Sequence, residues 1–429
     1  MSEAVLDIHD KPKTGQWISL SLQHMFAMFG ATILVPQLVG LSPAIALLTS
    51  GIATIIFLLI TQFKVPAYLG SSFAFIVPIQ VATLSGGIGS AMIGAMFVSA
   101  VYALVSLIIW KTGYQWLMKI LPPIVVGPVI IVIGLALAGI AVDMAMTIPA
   151  AAGGSEYSLL HFSAAIVTLL TAIICTIYFK NIISLMPILI GLLVGYAYSA
   201  AIGIIDFAAI GEASWFAIPD FLIPGVDYSF QVTPTLLFIM VPIAIVTISE
   251  HIGHQLVLGK IVDRNYIKDP GLHRSILGDG LGTFISSLIG GPPKTTYGEN
   301  IGVLAITRVF SVYVIFGAAV FAIVFSFAGK LMAAIETIPT AVLGGISILL
   351  FGIIASSGLR MLVDNNIDFG NKRNLVISSV ILVIGIGGAR LEFSETFVIE
   401  GMALAAIIGV LLNLVLPGLE KEELDDGTE

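Results

Sequence analysis

The chain has 429 residues, 58% hydrophobic and only 10% charged, where soluble domains carry about 25% charged residues. Its formal charge of -8 is no partner signal, because much of it lies in the tail Glu420-Lys421-Glu422-Glu423-Leu424-Asp425-Asp426, read as a solvated end; the absence of a basic stripe argues against a nucleic-acid partner. A single cysteine, Cys175, excludes an internal disulfide and leaves no thiolate set for an iron–sulfur or zinc cluster, so no cofactor is expected.

Apolar stretches recur along the whole length, each long enough to cross about 30 Å of hydrocarbon. The fold class expected is therefore an all-α polytopic membrane protein. The first 16 residues are polar. The apolar run after Trp17 is longer than a signal-peptide core and lacks a small-residue cleavage site, so no cleaved leader is expected. Full spans are predicted at 17–38, 43–62, 88–109, 121–141, 159–178, 185–205, 234–257, 275–290, 311–329, 339–356, 373–388 and 399–416. Two intervals, 66–83 and 293–309, are too short or too interrupted by Gly and Pro for a simple span. Each reads as an extended stretch followed by a half-helix. The total is fourteen transmembrane segments, with segments 3 and 10 discontinuous.

The positive charges agree with this count. With the N-terminus in the cytoplasm, every Lys and Arg except Lys294, Lys330 and Arg390 falls on the cytoplasmic side. The long loops 142–158 and 206–233 contain neither residue, as exterior loops should. Both termini are then cytoplasmic.

Seven segments plus seven imply a repeat in opposite orientations, and traces of one are readable. Gln23-His24 opens the first half as Glu250-His251 opens the second. Pro66-Ala67-Tyr68-Leu69-Gly70-Ser71-Ser72 follows His24 at nearly the distance that Pro293-Lys294-Thr295-Thr296-Tyr297-Gly298-Glu299 follows His251. Leu121-Pro122 with Gly127 echoes Ile338-Pro339 with Gly344. Gly/Pro-interrupted segments at corresponding positions of two inverted halves point to a transporter's binding site.

The candidate site follows from what these segments carry. A Glu near the bilayer centre costs roughly 2.5–3.5 kcal/mol on insertion scales, so Glu250 and Glu299 are functional candidates by default. Half-helices starting near Phe73 and Gly298 would offer unpaired amides at the positive end of a dipole. Ser71 and Ser72 are candidate caps for the first half-helix and Glu299 for the second. Glu250 and His254, at i and i+4, share a helix face, while His251 points about 100° away. Each residue also has a plainer reading: Glu299 as a cap alone, Glu250 as a structural acid, His254 as a packing histidine, Phe73 and Phe351 as packing aromatics. His24 and His251 read as structural. Lys294 reads as a loop or interface cation, with a counter-charge to Glu299 as the alternative.

Glu299-Asn300-x-Gly302-x-x-x-x-Thr307-Arg308 resembles the signature of the nucleobase–ascorbate transporter family (nucleobase:cation symporter-2), and Gln23-His24 resembles its second marker. The resemblance covers essentially the whole chain. An acid at the first signature position is similar to the uracil permease branch, whereas purine-type members carry Gln there. The resemblance implies a 7+7 inverted repeat divided into a core domain (1–109 and 234–329) and a gate domain (121–205 and 339–416), followed by an acidic cytoplasmic tail (417–429). It implies uracil:proton symport by alternating access in the inner membrane, driven by the proton gradient, and a homodimer through the gate domain. By the same resemblance Glu250 and Glu299 contact the pyrimidine, Phe73 and Gly298 donate backbone N–H groups, and Ser72 and Tyr297 line the site. His254, with Glu250 and Glu299, then serves proton coupling, and Phe351 is a gate residue that stands where the family pattern has Tyr. The competing readings are a purine or other nucleobase symporter of the same fold, an anion transporter, and an intramembrane enzyme. Two acids argue against an anion site, and no nucleophile with a base and an orienting group is readable for an enzyme.

Overall fold

In hydrocarbon every backbone N–H and C=O needs a partner within the protein, which favours helices and makes any extended segment a problem to be solved locally. The computed structural model describes residues 4–150, 154–179, 182–394 and 397–417; the acidic tail beyond Pro417 lies outside the described residues. Helix α1 (Thr14–Val39) stops at Gly40, whose φ of 73° turns its N–H back to the Pro36 carbonyl. Helix α2 (Pro43–Ile60) starts with proline in its first turn. Strand β1 (Leu69–Ser71) and a one-turn 3-10 segment (Phe73–Phe75) lead into α3 (Ile76–Thr112). The backbone of α3 leaves helical geometry at Gly86 and Gly87, the latter with φ of 79°, so a half-helix ends there and a full one begins.

The chain continues through α4 (Gln115–Ile120), α5 (Pro123–Leu135) and α6 (Ala138–Met146) to a hairpin of β2 (Thr147–Pro149) and β3 (Ser155–Tyr157). Then come α7 (Leu159–Tyr178), α8 (Pro187–Ala201), α9 (Ala208–Glu212), α10 (Pro234–Met240) and α11 (Ile243–Val262). Helix α12 (Leu272–Leu288) precedes the second discontinuous unit, β4 (Lys294–Thr296) and α13 (Gly298–Thr307). The remainder is α14 (Val312–Phe325), α15 (Gly329–Glu336), α16 (Thr340–Asp364), α17 (Lys372–Ile386), the hairpin β5 (Arg390–Ser394) and β6 (Phe397–Glu400), and α18 (Gly401–Val415). A helix, or a strand with a half-helix, occupies each of the fourteen predicted intervals. Among the described residues, 7 helices are long and apolar enough to cross a membrane. The two hairpins were not expected from the sequence, because three- to five-residue strands leave almost no periodic signal.

Helices pack in two groups. α16 lies against α5, α6, α7 and α8, and α17 and α18 close on α5. α2, α3, α12 and α14 form the second group, with α1 against α14 and α2. α11 runs between them, touching α5 and α18 on one side and α3, β4 and α13 on the other. Small residues allow close approach: a Cβ built on Gly134 of α5 would sit 2.3 Å from the Phe351 carbonyl of α16.

The two extended segments solve each other's hydrogen-bonding problem. β1 and β4 pair antiparallel, Leu69 opposite Thr296, Gly70 opposite Thr295 and Ser71 opposite Lys294. The ladder is prolonged at both ends by Ser72 N–H to Pro293 O and Tyr297 N–H to Tyr68 O, each 2.9 Å. What the short ladder leaves over is satisfied from two helices. Thr54 of α2 accepts the Leu69 N–H at 2.9 Å, and Ser50 donates to the Leu69 carbonyl. Thr283 of α12 accepts the Lys294 N–H at 3.0 Å and donates to the Lys294 carbonyl at 3.1 Å. The same residue type does the same work in the second segment of each half, a trace of the inverted repeat carried by side chains.

Replacing either threonine by valine keeps the shape and strands a buried strand amide, which costs about 1–3 kcal/mol. Thr54→Val and Thr283→Val are each expected to lower the thermal unfolding midpoint of detergent-purified protein, measured beside Thr112→Val at an exposed helix end. Midpoints equal to that control would show that the hydroxyls do not support the crossing.

Candidate substrate-binding cavity

Glu250 and His254 project from one face of α11 into a cavity of about 250 Å³. Phe73, from the turn after β1, enters the same space, as do Thr295, Thr296, Tyr297, Gly298 and Glu299 from β4 and the start of α13. The opposite wall is mainly apolar and comes from the other helix group: Ile130 of α5, Pro187 and Ile188 of α8, and Ile353 and Ile354 of α16, with Ser184 and Ser357 as its polar members. The crossing of β1 and β4 thus brings the two discontinuous elements together at one cavity, and Glu250 from a third element meets them there.

The geometry defines what each group offers. Glu250 is only 6% exposed, and its Oε2 has no hydrogen-bond partner. An unpaired buried carboxylate oxygen is costly, so its retention beside a cavity points to a ligand that donates to it. His254 Nδ1 lies 3.0 Å from Thr296 Oγ1, which ties the ring to β4. Gly298 is exposed to the cavity; a Cβ placed on it would meet only His254 Nε2, at 3.4 Å. It opens α13, where the first amides lack intrahelical acceptors and the dipole is positive. Glu299 stands in that first turn and is partly exposed. The residue in the capping position is Tyr297, which makes no side-chain cap bond.

Several expected details differ. Neither Ser71 nor Ser72 caps the first half-helix. The ladder holds both residues extended, so Ser71 Oγ turns to the Thr32 carbonyl at 3.3 Å. Ser72 is fully buried, its Oγ has no partner, and it does not line the cavity. Tyr297 lines the cavity, but its hydroxyl donates to the Ser71 carbonyl at 3.0 Å. The ring closes against Gly70, where a Cβ would fall 2.1 Å from Tyr297 Cζ. Phe351 does not line the cavity; it stands edge-on behind Phe73, ring centroids 5.7 Å apart at 79°. Lys294 is neither a loop cation nor a counter-charge bonded to Glu299. It is fully buried in β4, and its Nζ donates to the Ala46 carbonyl of α2 at 3.0 Å. Strand alternation sends this side chain to α2 rather than along α13.

The histidines divide as their helix positions dictate. His251, rotated away from the cavity, bonds through Nδ1 to Asp279 at 2.7 Å and through Nε2 to Ser275 at 2.9 Å, all three buried. Asp279 escaped the sequence reading although it is an acid inside the predicted span 275–290, the same signal that singled out Glu299. Asn300 of the signature donates to the His24 carbonyl at 3.0 Å, so His24 of α1 anchors the signature helix.

Comparison with known proteins places this architecture. The sequence model described as the Permease family matches residues 15–392. The uracil permease of Bacillus caldolyticus is 65% identical over 418 residues, covering 97% of this chain and 96% of that protein. The uracil permease of Bacillus subtilis (strain 168) is 60% identical over 98% of this chain and 97% of its own length. That of Escherichia coli (strain K12) is 45% identical over 97% and 94%. Among solved structures, the transmembrane domain of a cyanobacterium bicarbonate transporter, BicA, shares the fold with a TM-score of 0.64 at 14% identity, covering 95% of this chain and all (100%) of that one. The murine solute carrier 26 family member A9 anion transporter in the inward-facing state gives a TM-score of 0.67 at 12% identity, covering 94% and 68%.

The two glycines at the crossing separate fold from site. Gly70→Ala drives a methyl into the Tyr297 ring and is expected to destabilise the protein by about 1–3 kcal/mol. Gly298→Ala meets open cavity and is expected to change stability by less than about 0.5 kcal/mol while reducing ligand affinity. Thermal unfolding and binding measured on both variants check this; loss of stability in Gly298→Ala with affinity intact would reverse the assignment.

Proposed function

The chain belongs to the Permease family, a family of multi-pass membrane transporters, and we propose that it is a uracil:proton symporter that imports uracil across the cytoplasmic membrane by alternating access. The observation that carries this reading is the buried, unpartnered carboxylate oxygen of Glu250 facing the amide-bearing start of α13 across one cavity. Uracil near neutral pH is a flat ring with two N–H donors and two carbonyl acceptors. Glu250 and Glu299 accept from the N–H edge, and the free amides at Phe73 and Gly298 donate to the carbonyls. Phe73, Ile130 and Ile353 supply the apolar walls that a planar ring needs. Cytosine replaces the N3 donor by a lone pair, leaving a carboxylate unpaired at a cost of about 1–3 kcal/mol. The full-length relatives named uracil permeases support the same cargo.

Proton coupling follows from linkage. A carboxylate whose proton affinity differs between the two access states ties cargo movement to proton movement, and one pH unit supplies about 1.4 kcal/mol. The membrane potential adds about 2.3 kcal/mol per 100 mV for each charge moved. Glu250, Glu299 and His254 are the coupling groups in this reading. The group around α2, α3, α12 and α14 serves as the core domain (1–109 and 234–329). The group around α16 serves as the gate domain (121–205 and 339–416) and as the homodimer contact. Phe351, behind Phe73, lies where the two would separate. The cavity lining continues along α13 to Ile306, beside Arg308. Positive-inside orientation makes that end cytoplasmic, with both termini, so the conformation is read as inward-facing.

Uptake of radiolabelled uracil into proteoliposomes with an imposed pH gradient, competed by uracil, thymine, cytosine and xanthine, tests the proposal; competition by xanthine but not uracil would replace it with purine transport. In the purified protein, Glu250→Gln is expected to weaken uracil binding by about 1.5–3 kcal/mol, the worth of a hydrogen bond to a charged group. Unchanged affinity would remove Glu250 from the site. His254→Ala is expected to spare uracil exchange and lose pH-driven accumulation, and equal loss of both would reject its coupling role.

A further inference from the structure

The polar N-terminal segment has no place in the transport reading, yet the structure gives it definite partners. Val5 N–H donates to the Arg308 carbonyl at 2.9 Å, Phe310 N–H to Leu6 O at 2.7 Å, and Val312 N–H to Ile8 O at 3.0 Å. Ser311 Oγ donates to the Asp10 carbonyl at 2.7 Å. Residues 5–10 therefore run as a strap along 308–312, with Leu6 bridged in parallel to Val309. The Ile8 side chain, 1% exposed, is sunk into the main hydrophobic core. From the same strap, Asp7 Oδ2 accepts from Arg264 Nη2 at 2.8 Å. Asp7 is itself held by its N–H donating to Asp10 Oδ2 at 2.8 Å.

The two anchor points end the helices that carry the site. α13 bears Gly298 and Glu299 at its start and closes at Arg308, a left-handed residue with φ of 56°. α11 bears Glu250 and His254 and closes at Asp263, also left-handed at φ of 59°, immediately before Arg264. α13 has 10 residues, so at about 1.5 Å per residue its two ends are about 15 Å apart and move as one rigid rod. The start of α13 is held by the β1–β4 ladder ahead of it and by Asn300 on the His24 carbonyl. The strap is what fixes its other end, and it is the contact that links that end to α11.

We propose that residues 5–10 are a positioning strap that joins the ends of α11 and α13 and so sets the relative placement of Glu250 and Glu299 at the cavity. The strap deepens the functional reading above by assigning this segment to the geometry of the same site. Asp7 and Ile8 are positioning residues: one ties the strap to the α11 end, the other seats it beside α13. The Asp7–Arg264 pair is half-exposed and contributes little to global stability. Its loss should therefore appear in the site before it appears in unfolding.

The test compares Asp7→Arg, Arg264→Asp and the double exchange with Ile8→Ala, in full-length detergent-purified protein. Two readouts are taken, the Kd for uracil and hydrogen exchange of the α13 amides without ligand. Asp7→Arg and Ile8→Ala are expected to raise Kd by roughly 2- to 30-fold, the range for residues that act on a site through packed neighbours, and to speed exchange at the end of α13. The double exchange, which restores an opposite-charge pair, should recover both. Wild-type Kd and exchange in Asp7→Arg, or no recovery in the double exchange, would overturn the strap. The exchange readout needs no uracil, so a failed substrate assignment, seen as no binding to the unaltered protein, is distinguishable from a failed strap.

Discussion

Everything at the centre of this protein depends on how two extended segments are made acceptable in a low-dielectric interior. A strand crossing hydrocarbon alone would leave its amides and carbonyls unpaired, at several kcal/mol for each group. Here the two segments run antiparallel past each other and exchange backbone hydrogen bonds. Hydroxyls from α2 and α12 then complete the sets at Leu69 and Lys294. The antiparallel sense is what two halves in opposite orientations would present, so the repeat and the crossing are one fact seen at two scales. Tyr297 fastens the arrangement: its ring covers Gly70 and its hydroxyl reaches the Ser71 carbonyl.

The cavity is a by-product of that crossing. Each strand has to become a helix before it reaches the far side, and each helix begins with amides that have no acceptor behind them. Those starts lie at Phe73 and Gly298, on the two sides of one short ladder, so donors collect there without any charged donor side chain. Lys294 could have neutralised the acids, but its strand position commits it to the Ala46 carbonyl. The result is a site with backbone donors, carboxylate acceptors and apolar walls, which suits a neutral flat ligand better than an anion. That contrast matters because solved structures sharing the fold include anion transporters. Their likeness concerns the scaffold, while the chemistry lies in the residues at the half-helix ends.

A second layer of polar contacts holds the helices around the site in register. His24 with Asn300 joins α1 to the signature helix. His251 with Asp279 and Ser275 joins the Glu250 helix to α12. The N-terminal strap reaches the ends of both α11 and α13. These contacts share one character: they link elements of the group that carries the two acids. The opposite wall, from α5, α8 and α16, meets that group through apolar side chains and the edge-on contact of Phe73 with Phe351. Polar ties are thus dense among the elements that carry the acids, whereas contact with the opposite wall is mainly apolar, with Lys260 on the Asp364 carbonyl at 3.3 Å as a polar exception.

Much of this was legible in the chain itself. Hydropathy is a one-dimensional signal set by the bilayer, so the helical class and the two broken segments could be read directly. Glu250, Glu299 and His254 were visible because an ionisable group in an apolar run is anomalous wherever it lies, and an i, i+4 spacing fixes a shared face. What the residues could not declare was partnership across long sequence separations. That Thr54 and Thr283 serve strand amides, that Lys294 faces α2, that Ser72 is turned from the cavity, and that residues 5–10 find 308–312 are matters of which side chain is brought near which. Those juxtapositions are decided by packing in three dimensions, where a rotation of one residue along a strand exchanges the cavity face for the buried one.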